Sequence, residues 1–94
     1  MSVRRFRRLA ALDREQVARL APEAVLVLPV GAVEQHGPSL PLGTDAALAE
    51  ATAAAGIEAS TTSREMVLAP TVPYGNSIHH LFACAGSLSS RTLL

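Results

Sequence analysis

Residues Ala24-Val25-Leu26-Val27-Leu28-Pro29-Val30 form a continuous aliphatic and β-branched run without polar alternation. A strand exposed on one face alternates apolar and polar positions, whereas a strand covered on both faces of a parallel sheet is apolar throughout. The run therefore predicts a buried strand of an α/β fold and limits what the flanking chain can be. Directly after it, the stretch from Gly31 to Thr44 holds Gly31, Gly37, Pro38, Pro41 and Gly43, too many breakers for regular structure. This predicts a loop leaving the carboxyl end of the strand, the place where ligand sites gather in open α/β sheets.

The flanks fit that frame. Asp13 reads as an N-cap with Gln16 three residues on, and Leu12, Val17 and Leu20 space an apolar stripe before Pro22, which predicts a short helix. Thr44 or Asp45 suits the cap of a second, Ala-rich helix over residues 46–55, closed by Gly56 at the C′ position. Met66-Val67-Leu68-Ala69 before Pro70 resembles a second buried strand, followed by the loop Pro73-Tyr74-Gly75-Asn76-Ser77 and a tail that begins a helix near Ser89. That order yields two parallel strands at most. The expected fold class is α/β, the opening part of a three-layer α/β/α parallel-sheet domain, incomplete because a doubly wound sheet needs more strands to cover its helices.

Composition narrows the function classes. Eight Arg balance eight acidic residues with no Lys, so the net charge is zero and no global field recruits nucleic acid or an acidic membrane. The longest apolar run, Ala24–Ala32, is interrupted by Pro29 and Gly31 and falls far short of the ~20 residues that span a bilayer. A single cysteine, Cys84, makes no internal disulfide and points to a reducing, cytoplasmic setting, with Cys84 read as a small buried hydrophobe. Residues 1–12 carry four Arg before the first acid and read as a basic, solvated leader, because Leu9-Ala10-Ala11-Leu12 is too short for the apolar core of a secretory signal.

The chemistry lies in the first loop. Glu34-Gln35-His36 sets a carboxylate and an imidazole two positions apart, and in extended backbone residues i and i+2 project to the same side. Asp45 follows nine residues later at the entry to a helix, with glycines and prolines between that let the chain fold back. One imidazole and two carboxylates suit borderline or hard divalent ions, and a carboxylate can bridge two ions ~3.5–4 Å apart. Such a pair lowers the pKa of a bound water to around 7 and supplies hydroxide for attack on a carbonyl carbon. Taken singly, each residue also has a plain role: Asp45 as an N-cap, Glu34 as a solvated loop residue, His36 as a packed or hydrogen-bonded ring.

The segment from Leu28 to Asp45, Leu-Pro-Val-Gly-Ala-Val-Glu-Gln-His-Gly-Pro-Ser-Leu-Pro-Leu-Gly-Thr-Asp, resembles the opening signature of the creatininase family of metal-dependent amidohydrolases. Residues 67–77 with His79-His80-Leu81-Phe82 are similar to that family's second characteristic stretch. The resemblance implies that Glu34 and His36 bind different ions of a dinuclear site and that Asp45 bridges both. It implies Zn or Mn as the metal, with Fe also compatible, and hydrolysis of C–N bonds in small-molecule or peptide amides. Family substrates include creatinine, formamido intermediates and the C-terminal residues of the mycofactocin precursor peptide. His79 and His80 are candidate cleft residues, and residues 13–94 are expected to be the N-terminal part of a single creatininase-like domain, a homo-oligomer when full-length.

The departures from the family pattern are specific. Members are more than twice this length and take further His and acidic ligands from a later Asn-Gly-His-Gly-Gly-type stretch that is absent here, so a truncated form is expected. Ser39 stands where members usually carry His, Ile78 where an acidic residue commonly precedes the histidine, and Phe82-Ala83-Cys84-Ala85-Gly86-Ser87 where members read Phe-Pro-Gly-Thr. The competing expectation is a non-catalytic binding or subunit-interaction module that associates through an uncovered sheet edge, or an inactive remnant of the family.

Overall fold

The computed structural model describes residues 6–75. Three short parallel strands, β1 (Arg7–Arg8), β2 (Val25–Val27) and β3 (Met66–Leu68), form a sheet in the order β1-β3-β2. Among the described residues two helices accompany the sheet, α1 (Arg14–Leu20) and α2 (Thr44–Ala59), with a 3-10 turn at Leu9–Ala11. The α/β class and the parallel sheet agree with the expectation from the apolar run.

Central β3 carries the core. Val67, Leu68 and Ala69 are buried, and with Ile57 of α2 they form the buried apolar set of the described residues. Successive strand residues face opposite sides, so Val67 and Leu68 anchor the two faces separately. Val67 is in register with Leu26, and on that side the pair shares an apolar recess of about 270 Å³ with Leu9, Leu12, Val17 and Leu20 under α1. On the other side Leu68 and Glu50 of α2 line a common recess, and α2 packs against β3. Helices thus flank both faces, in the manner of a small α/β/α layering.

α1 begins as its sequence requires. The Asp13 carboxylate accepts the Gln16 backbone N–H at 2.8 Å, and the Gln16 side chain accepts the Asp13 N–H at 2.9 Å, a complete capping box.

Three expectations are corrected. The sheet has three strands rather than two at most, because Arg7 and Arg8, placed in the leader by their charge, pair in register with Val67 and Leu68. Nothing local marks Arg-Arg as a strand. Its partners are 58 and 42 residues away in sequence: Arg7 Nε donates to Glu65 at 3.4 Å, and Arg8 Nη1 donates to Glu50 at 3.0 Å. The second helix does not stop at Gly56 but runs through it to Ala59. Continuing the helix by three residues puts Ile57, 1% exposed, into the core, and that burial outweighs a glycine penalty of about 1 kcal/mol. Neither Thr44 nor Asp45 caps α2: the N-cap is Gly43, without a side-chain cap bond.

The Ala24–Val30 run is also less enclosed than its pattern predicts. Regular pairing ends at Val27, and among the described residues Leu26 is 58% exposed. Pro29, which is buried, has no N–H for the ladder. The chain nevertheless continues alongside the extension of β3, where the Pro29 carbonyl accepts Val72 N–H, and Gly31 and Val33 donate to the carbonyls of Val72 and Pro73, all at 3.0 Å.

Candidate metal centre

The extension of β2 brings residues 31–33 to the carboxyl end of the sheet, held by those bonds to Val72 and Pro73. Beyond Val33 the chain turns out and returns. Glu34 N–H donates to the Leu42 carbonyl at 2.9 Å, and His36 and Leu40 form an antiparallel bridge. Gly37, at the reversal, has φ +73°, a left-handed conformation that costs a residue with a Cβ about 1–2 kcal/mol. Its N–H is taken by the Gln35 side chain at 3.0 Å. The return leg ends where Thr44 N–H and Oγ1 both donate to the Pro41 carbonyl, at 3.2 and 2.7 Å, which seats the first turn of α2.

Asp45 therefore enters from the helix side. Its Oδ2 accepts the Ala32 backbone N–H at 2.9 Å, a bond that ties α2 to the loop rather than capping the helix.

The three residues converge. One donor atom from each of Glu34, His36 and Asp45 lies within 4.8 Å of the others, and all three residues are half-buried. His36 Nε2 stands 3.7 Å from Glu34 Oε1, too long for a hydrogen bond. That nitrogen is buried and has no hydrogen-bond partner among the described residues. An unsatisfied buried polar atom costs about 1–3 kcal/mol, and a cation among the three donors would satisfy it. The 3.7 Å between His36 Nε2 and Glu34 Oε1 suits such an ion, since two donors each about 2.1 Å from a shared cation stand at most about 4.2 Å apart. The donor set and the orphaned nitrogen thus fit a divalent metal.

His79, His80 and Cys84 lie outside the described residues. Sequence reasoning missed two features of the site: the Ala32 N–H, which no side-chain pattern reveals, and the closeness of Gly31 to α2. For Gly31 the signal was a glycine directly after a buried strand, but only as a generic breaker.

A parallel α/β sheet with an imidazole and two carboxylates gathered beyond its carboxyl end defines an α/β protein with a metal-competent donor site. The chain belongs to the creatininase family, whose model, described as creatinine amidohydrolase, matches residues 10–94. A mycofactocin precursor peptide peptidase of Mycolicibacterium smegmatis (strain ATCC 700084 / mc(2)155) is 45% identical over 58 residues, covering 60% of this chain and 24% of that protein. Proteins of the same name from two strains of Mycobacterium tuberculosis, CDC 1551 / Oshkosh and ATCC 25618 / H37Rv, are 40% identical over 90 residues, covering 89% of this chain and 35% of theirs. The chain spans about a third or less of the length of these relatives. Among the described residues, no helix is long and apolar enough to cross a membrane.

Proposed function

We propose that the chain is the N-terminal part of a metal-dependent amidohydrolase acting on a C–N bond of a peptide substrate, and that Glu34, His36 and Asp45 hold its divalent cation, Zn or Mn. The reading rests on one observation: donor atoms of these three residues lie within 4.8 Å of one another. Family membership and the names of the mycobacterial relatives support the reaction class and the peptide substrate. A bound divalent cation supplies Lewis-acid polarisation of an amide carbonyl and a water acidified towards neutral pH.

The chain's own residues do the rest. Glu34 and His36 present their donors from one side of an extended segment, and Asp45 closes the set from α2. The bridge between His36 and Leu40 fixes the turn that follows His36. Further ligands belong to the parts of the fold that the relatives have in addition, so the 94-residue chain binds metal more loosely than the longer proteins. A dinuclear centre with Asp45 as the bridge is part of the proposal, as are a cytoplasmic location and a single domain over residues 13–94.

The test is equilibrium dialysis of the purified chain against Zn²⁺ or Mn²⁺ with elemental analysis. The expected result is bound metal in wild type and at least a tenfold loss of affinity in Asp45→Ala; equal binding by the two proteins refutes the site.

A second reading, a metal-free interaction module, draws on Leu26, Leu28 and Val30, which are 58%, 54% and 64% exposed along one edge of the sheet. Exposed apolar strand edges promote association. A metal-free oligomer on size exclusion would favour it.

A further inference from the structure

The geometry points to Gly31 and the Ala32 main-chain N–H as a backbone clamp that positions Asp45 for the cation, an inference that rests on the metal-centre reading above. Two observations carry it. First, a Cβ built at Gly31 would lie 2.6 Å from the Ala46 Cα, 3.0 Å from the Ala46 nitrogen and 3.1 Å from the Asp45 carbonyl oxygen. All three are main-chain atoms of the first turn of α2, so no side-chain rotation relieves the contact. Second, the adjoining residue spends its N–H on that turn, with Ala32 N donating to Asp45 Oδ2 at 2.9 Å.

Gly31 cannot retreat. Its own N–H is committed to the Val72 carbonyl at 3.0 Å, and Val33 is likewise held by Pro73. The loop is thus pinned to the extension of β3 on one side and pressed against α2 on the other. The absence of a Cβ lets helix and loop approach closely enough for the Ala32 bond to form, and that bond fixes the direction of the Asp45 carboxylate. Ligand side chains are commonly oriented by such outer hydrogen bonds, whose loss typically costs 10–100-fold in metal affinity. Gly31 is a positioning residue in this scheme, not a ligand.

Gly43 supplies the control. It lies in the same loop, directly before α2, and a Cβ there meets nothing within 4 Å.

The experiment titrates Co²⁺ into the full 94-residue chain, following visible absorbance and heat, for wild type, Gly31→Ala, Gly43→Ala and a chain in which the Ala32 amide is replaced by an ester. The ester removes the one N–H and adds no side-chain atom, so it decides the matter if Gly31→Ala does not fold. Amide hydrogen exchange at Ala32 is read in parallel. The expected result is unchanged Co²⁺ affinity in Gly43→Ala, a loss of about tenfold or more in the Gly31→Ala and ester chains, and slow exchange at Ala32 that becomes fast in Gly31→Ala. Wild-type affinity in the ester chain, or in a folded Gly31→Ala, overturns the clamp, as does fast exchange at Ala32 in wild type. If wild type takes no Co²⁺ while its Ala32 amide is slow and Gly31→Ala makes it fast, the metal reading fails and the clamp survives as a structural contact.

Discussion

Gly56→Ala tests the fold through the sign of its effect. A glycine closing a helix at C′ adopts a left-handed conformation, and alanine there destabilises by about 1–2 kcal/mol. In the structure Gly56 lies within α2, three residues before its last residue Ala59, and a Cβ added there meets no atom within 4 Å. Among the described glycines only Gly37 has positive φ. The substitution then removes the helix-interior penalty of glycine, about 0.8–1 kcal/mol, partly by restricting the unfolded chain. Fraying near the helix end lowers the gain to roughly 0.5–1 kcal/mol. For a domain of this size that corresponds to a rise in Tm of about 2–8 °C. Urea and thermal unfolding followed by circular dichroism at 222 nm would measure it, with the unfolding slope unchanged. A fall in Tm, or lower helicity in the variant, would show that α2 ends at Gly56 and that Ile57 is not drawn into the core by the helix.

Ile57→Ala should destabilise by about 2–5 kcal/mol, because Ile57 is 1% exposed; in a chain with so small a core, denaturant titration should find much of the population unfolded. Asp13→Ala removes the carboxylate that accepts the Gln16 N–H, while the residue-13 N–H can still donate to the Gln16 side chain, and should cost about 0.5–2 kcal/mol, with the loss of protection confined to α1 in hydrogen exchange. Arg8→Ala should change stability by less than about 1 kcal/mol, since both side chains of its ion pair with Glu50 are about half exposed; a larger loss by thermal melting would mean that the pair, and not strand pairing, holds β1.

Local signals were sufficient where one residue's chemistry determines one local conformation. The capping box at Asp13 and Gln16 and the strand at Met66–Leu68 were legible because a cap or an unbroken apolar run carries its meaning within a few positions. The closeness of Glu34 to His36 was legible for a related reason: the i, i+2 spacing in extended backbone sends both side chains to one side without reference to the rest of the molecule. The return of Asp45 was permitted by the intervening glycines and prolines, but its closeness depended on contacts outside the loop.

The amino-acid order alone thus set the α/β class, the loop beyond β2 and the three donor types, since these follow from short-range sterics and side-chain chemistry. Three further features needed the folded chain: recruitment of Arg7–Arg8 to the sheet edge, continuation of α2 past Gly56, and the Gly31 contact that holds Asp45 to the Ala32 N–H. Each is a balance between a local preference and a partner distant in sequence, such as Glu65 for Arg7, and no local pattern encodes the position of a backbone group brought in from elsewhere.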